Sequence, residues 1–204
     1  MTSAIIVAKG PTAKYIKKND WPNHILVAIN QACIFIDEID YVFMNDIEAL
    51  DGLSMSDIRK TKYFVIPEWP HKQSKIDIPN TSYVTFQKKL HQICGPFDPP
   101  GIILHNLFTS PIPNPSLPCT DVCISTVETA ISFLAKHNNV KYIDTFGYNV
   151  QHAMKYHQDL HFLANTNHTY KTIINHGYDE EHMKKIKICV GKLKEQYQLS
   201  IEHF

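Results

Sequence analysis

Ser3-Ala4-Ile5-Ile6-Val7-Ala8, followed at once by Lys9-Gly10-Pro11-Thr12, is the stretch that decides the fold. A short unbroken apolar run bounded by a Gly-Pro turn reads as a strand buried on both faces. The turn leads into a helix-compatible segment. The same rhythm returns twice: Ile25-Leu26-Val27-Ala28-Ile29 ends in Asn30-Gln31, and Tyr41-Val42-Phe43-Met44 ends in Asn45-Asp46. Buried strands alternating with helical connections predict an α/β domain with a mostly parallel sheet flanked by helices. In such sheets the carboxyl ends of the strands are where a ligand sits. Three successive polar strand ends therefore point to a nucleotide-type site.

Working outward, the 204 residues predict one domain with room for a sizeable core. Twenty basic and twenty acidic residues cancel, so no overall field steers the chain onto nucleic acid or an anionic membrane. No apolar run approaches the roughly 20 residues that span a bilayer. The first apolar stretch is too short for a signal peptide and reads as a strand, so the expected location is the cytoplasm, or a host cytosol for a viral protein. Cys33, Cys94, Cys119, Cys123 and Cys189 lack paired CxxC spacing and read as reduced thiols.

Further along, Ile47–Leu50 reads as a short helix capped by Asp46. Tyr63–Ile66 and Tyr83–Phe86 read as strands, the second followed by a short helical piece over 87–93. Prolines 96, 99, 100, 111, 113, 115 and 118 make 94–118 an irregular, lid-like loop, interrupted by a strand-like Gly101–Leu104. Ser125-Thr126-Val127-Glu128 has capping-box spacing, and Val127, Ala130, Ile131, Leu134 and Ala135 follow at helical intervals. Val140–Phe146 reads as a late strand closing at Gly147-Tyr148-Asn149. Acids at 179–181 and lysines further on predict a final helix over 179–198.

The chemistry-bearing groups each have a plain structural reading beside the functional one. Gly10-Pro11-Thr12 can bring amides to a phosphate at a helix start; it is neither a dinucleotide fingerprint nor a Walker loop, and a tight turn explains it equally well. Asn30, Gln31 and Asn45 offer amide donors and acceptors to a base or ribose, although asparagine also favours turns. His157 and His161 share a helix face, but Gln158 stands where a zincin has glutamate. Asp37-Glu38-Ile39-Asp40 reads as a solvated turn, and no metal site is expected. His176 precedes the last helix and is placed to act as a base, with a structural histidine as its plain alternative.

Taken in order, GPT after the first strand, Asn-Gln after the second, an aromatic-x-Asn-Asp end to the third, a Ser-Thr pair opening a helix and a strand ending in Gly-Tyr-Asn resemble bacterial CMP-sialic-acid-dependent sialyltransferases of the small lipooligosaccharide type. They also resemble the wider Rossmann-like group around those enzymes, which includes motility-associated glycosylation factors and a pterin pyrophosphokinase. The resemblance implies a single Rossmann-like domain that binds a nucleotide sugar. Lys9 stands where that family has asparagine, with Gly10, Pro11 and Thr12 at the phosphates. Asn30, Gln31, Asn45, Asp46, Ser125, Thr126, Gly147, Tyr148 and Asn149 fall at donor-binding positions. Tyr156 falls at the group that stabilises the leaving phosphate, and His176 at the general base.

The implied reaction is sugar transfer from a nucleotide-activated donor, CMP-linked, to the hydroxyl of a glycan or other acceptor. It needs no metal or other cofactor. A homo-oligomer is also expected, since small transferases of this kind commonly associate. Cys123 replaces a family arginine, Gln151 a second phosphate-binding tyrosine, and Asn149 an aspartate. These departures keep open a nucleotide-binding module without chemistry. A pterin-type pyrophosphokinase, which would need ATP and magnesium, is the third reading.

Overall fold

The computed structural model describes residues 2–45, 47–50, 53–68, 81–95, 100–106, 114–121, 125–148 and 180–204. Seven strands form one sheet: β1 (Thr2–Val7), β2 (Ile25–Ile29), β3 (Ile39–Phe43), β4 (Thr61–Pro67), β5 (Gly101–His105), β6 (Val140–Phe146) and β7 (Ser200–His203). Every pairing is parallel, in the order β5-β4-β3-β2-β1-β6-β7. Among the described residues the helices are α1 (Met55–Arg59), α2 (Thr81–Cys94), α3 (Thr126–His137) and α4 (Glu180–Tyr197). This is the expected Rossmann-like arrangement.

Alternation along the strands divides the core in two. Ala4 and Ile6 of β1 face α3 and α4, where Ala130, Ile131, Leu134, Ile186, Val190 and Leu193 are buried. Ile5 and Val7 face the opposite layer with Ala32, Leu50, Ile58, Phe86 and Leu90. Burial on both faces is why β1 and β2 read as continuous apolar runs rather than alternating ones.

Several expectations change in detail. The connections after β1, β2 and β3 are 3-10 turns, Pro11–Tyr15, Asn30–Phe35 and Ile47–Leu50, rather than full helices. Tyr83–Phe86 is part of α2 and not a strand. Phe86, Leu90 and Cys94 are buried at intervals of four, so the helical period of the following residues reaches back through the β-branched stretch. Within 94–118, Cys94 closes α2, and the strand expected at Gly101–Leu104 is present as the edge strand β5, Gly101–His105.

Beyond β5, Asn106 is almost wholly buried. Its Nδ2 donates to the Asn114 carbonyl at 2.6 Å and its Oδ1 accepts from the Asn114 amide at 3.1 Å. The residues at 114–120 are thereby clamped to the sheet. Two short elements carried weaker signals. α1 has a capping box in which Asp57 Oδ2 accepts from Ser54 N at 2.9 Å, and β7 has a single buried residue, Ile201.

Candidate functional site

The strand order reverses beside β1, because the chain builds from β1 outward to β5 and then crosses to β6 on β1's other side. That reversal is the topological switch point, where ligands of open α/β sheets collect. Here the two strand ends touch through their backbones. Gly10 N donates to Gly147 O at 2.9 Å, and Gly147 N donates to Thr12 Oγ1 at 2.6 Å. The Thr12 hydroxyl in turn donates a hydrogen bond to Phe204 O at 2.7 Å. Pro11 has no N–H, so Gly10 and Thr12 would have to supply any phosphate cradle from this turn. The Gly10 amide and the Thr12 side chain are already engaged within the protein. The turn's first structural task is to join β1, β6 and β7.

The other polar strand ends gather around the amino end of α3. That helix runs antiparallel to the strands, so its start lies at their carboxyl ends. Asn45 Nδ2 donates to Thr129 Oγ1 at 3.1 Å, and Thr129 Oγ1 donates to Ser125 O at 3.1 Å. Because Thr129 gives its proton to Ser125, it can only accept from Asn45. The asparagine amide is thereby oriented with Oδ1 turned away from the helix. Asn45 Oδ1 and Asn30 Oδ1 are screened from solvent and make no hydrogen bond, while the Ser125 side chain faces the Glu128 amide in the α3 capping box. Asn30 also has φ 53°, a left-handed backbone that asparagine tolerates better than most residues. Its turn role is therefore visible alongside any ligand role. Lys9 Nζ reaches Gln31 Oε1 at 3.5 Å across the ends of β1 and β2.

Glu128, read from sequence only as half of a cap, is the most buried acid here. Its side chain is inaccessible. Oε2 accepts from Ser125 N at 2.8 Å and Oε1 from Tyr148 OH at 2.6 Å. The carboxylate thus ties the α3 start to the residue that follows Gly147, whose φ of 67° turns the chain off β6.

The rhythm of polar strand ends also continues further than the sequence reading followed it. Glu68 ends β4 and His105-Asn106 end β5, and all three are buried. Neither ring nitrogen of His105 has a hydrogen-bond partner, and burial pushes its pKa down to about 4.

Lys9, Gly10, Pro11, Thr12, Asn30, Gln31, Asn45, Ser125, Thr126, Gly147 and Tyr148 therefore all belong to one edge of the sheet, at strand ends or at the α3 start. Asp46, Asn149, Tyr156 and His176 lie outside the described residues, as do the histidines at 157 and 161. No group of three or more metal-ligating side chains occurs among the described residues. Asp40, from the acidic stretch, lies at the opposite edge. Its carboxylate accepts from Leu26 N at 2.9 Å and from Lys62 Nζ at 2.6 Å.

Among the described residues, two cavities lie elsewhere. One of about 500 Å3 lies between α2 and β5, lined by Leu90, His91, Cys94 and Ile102. The other, about 340 Å3, opens at the amino ends of β2–β4 beside His24, Tyr41 and Tyr63. Neither includes a residue expected at the site. At the strand ends, by contrast, buried polar atoms without partners converge and the sheet reverses beside them. No protein-family model, curated protein or solved structure matches the chain.

Proposed function

We propose that the protein binds a nucleotide-activated sugar, CMP-linked, at the carboxyl edge of its sheet and transfers the sugar to an acceptor hydroxyl. The observation that carries this reading is the convergence on one edge of Lys9, Asn30, Gln31, Asn45, Ser125 and Tyr148, which are far apart in sequence. Asn45 Oδ1 and Asn30 Oδ1 add hydrogen-bonding capacity that the protein itself leaves unused. In the proposed reaction His176 takes the acceptor proton as the hydroxyl oxygen attacks the sugar carbon. The bond from that carbon to the phosphate oxygen breaks, and Tyr156 stabilises the departing phosphate.

The experiment is incubation of the full chain with CMP-, UDP- and GDP-linked sugars and a hydroxyl-bearing glycan acceptor, with free nucleotide as the readout. Release of CMP that is lost in His176→Ala supports transfer. Absence of release from every donor overturns it.

A second reading, nucleotide binding without chemistry, is favoured by one specific observation. Gly10 N and the Thr12 hydroxyl, two groups the resemblance puts at the phosphates, close the β1–β6–β7 junction instead. Tight nucleotide binding with no turnover would select this reading.

A further inference from the structure

We propose that the segment 114–121 is an acid-released strap: protonation of His105 beneath it opens the strap while the sheet stays folded. This release is independent of what the strand ends bind.

Alternation along β5 turns Ile102 and Leu104 toward the α2 layer and Ile103 toward α3, so His105 lies on the α3 side. The strap crosses that side. At one end, Asn106 N donates to Pro118 O at 2.7 Å and Thr120 N donates to Asn106 O at 3.0 Å. At the other, Asp121 Oδ2 accepts from Ser132 Oγ at 2.7 Å and from Tyr197 OH at 2.6 Å. The His137 ring of α3 is hydrogen-bonded to the Cys119 main chain between them. His105 is thus enclosed by strand, helix and strap, with no accessible surface.

Neither nitrogen of the neutral imidazole makes a hydrogen bond there, so an imidazolium would bury a charge together with two unmet donors. The facing groups give no relief. β4 offers Glu68, whose Oε1 accepts from Asn114 Nδ2 at 3.4 Å. α3 presents Lys136 and His137, and His137 acts on His105 as a like charge. Asp121, from the strap, is engaged by Ser132, Tyr197 and Lys136. The group that favours the charged form is the Asn106 main chain, part of the clamp itself. A proton therefore binds once the cage opens.

The strap is the wall that opens with least loss. None of Pro115, Leu117, Pro118 and Cys119 is buried, so polar contacts do most of the fastening. The other walls are a paired strand and a helix whose Ile131 and Leu134 are fully buried. Segments with few buried apolar contacts open locally, below the free energy of global unfolding. Release also uncovers Glu68, which is buried at the end of β4.

The test is hydrogen exchange of the full chain at about pH 7 and about pH 5, with and without sub-denaturing urea, each corrected for intrinsic rates. Protection of the Asn106 and Thr120 amides is expected to fall about twentyfold on acidification, the linkage ratio for a histidine near its ordinary 6.5 when open and about 4 when closed. It is expected to ignore urea, because local opening exposes little surface, whereas protection in β2 falls with urea. His105→Leu should abolish the acid response of the strap, and His137→Gln should retain it. Strap protection unchanged by acid, strap amides sharing the urea dependence of β2, or an acid response that survives His105→Leu each overturn the proposal. If His105→Leu does not fold, loss of the response in His137→Gln overturns it by moving the trigger to His137.

Discussion

Gly10 and Gly147 meet backbone to backbone at the point where the strand order reverses, with Gly10 N 2.9 Å from Gly147 O. A Cβ on Gly10 would lie 2.5 Å from Gly147 O, and one on Gly147 would lie 2.5 Å from Ala8 O. Neither neighbour can move aside, because both are main chain inside a hydrogen-bonded junction. Gly147 also has φ 67°, where any L side chain is strained. Gly147→Ala should therefore cost more than about 2 kcal/mol. Urea unfolding of the two proteins checks this, and equal midpoints would contradict the crossing.

Thr12 secures the same junction from its side chain. The Thr12 hydroxyl accepts from Gly147 N and donates to Phe204 O, so removing it leaves a backbone donor and a backbone acceptor without partners. Thr12→Val should cost about 1–3 kcal/mol, and Thr12→Ser much less. Paired thermal melts distinguish them. Equal loss in both variants would assign the effect to the methyl group rather than to the hydroxyl.

Acid stability should carry the mark of His105. Burial holds its pKa at about 4, against an ordinary 6.5. The unfolded chain therefore takes up a proton that the folded chain refuses. Stability is complete above about pH 6.5, falls as the pH drops below it, and levels off near 4. The full loss is about 3 kcal/mol, from a shift worth about 1.4 kcal/mol per unit. Burial also lowers His137 and His203, which slope the same way. His105→Leu should flatten most of the slope between pH 6.5 and 5 in a denaturation series. An unchanged slope would remove His105 as its source.

Asn106 should govern the order of the segment it clamps. Both of its amide atoms bind the Asn114 main chain, and Thr120 Oγ1 donates to the Asn106 carbonyl at 3.2 Å. Asn106→Leu keeps the volume and removes the side-chain bonds. Hydrogen exchange at the Asn114 amide should then accelerate at least tenfold while β1 and β2 keep their protection. Unaltered exchange at Asn114 would show that the clamp is not what holds the segment.

Much of the architecture was legible because burial on both faces writes itself into β1 and β2 as apolar runs, and polar residues mark where those runs end. α3 was legible for a different reason, the Ser125–Glu128 spacing followed by apolar residues at helical intervals. Three parts were not. Tyr83–Phe86 has the composition of a strand, and only the burial of Phe86, Leu90 and Cys94 reveals its helical period. The short β7 has one buried residue and gains its place by pairing with β6, a long-range contact that no local pattern announces. Glu128 has ordinary cap spacing. That its carboxylate also reaches Tyr148 depends on β6 and α3 arriving at the same edge. The site was thus readable as a set of strand ends, but not as the network that links them.

The central claim is that the carboxyl edge of the sheet is the nucleotide site, and amide chemical-shift mapping during a CMP titration tests it most directly. The account predicts saturable shifts concentrated at Asn30, Gln31, Asn45, Ser125, Thr126 and Tyr148, with Asp40, Tyr41 and Tyr63 at the opposite edge unmoved. Shifts confined to that opposite edge, or none at millimolar CMP, would contradict it.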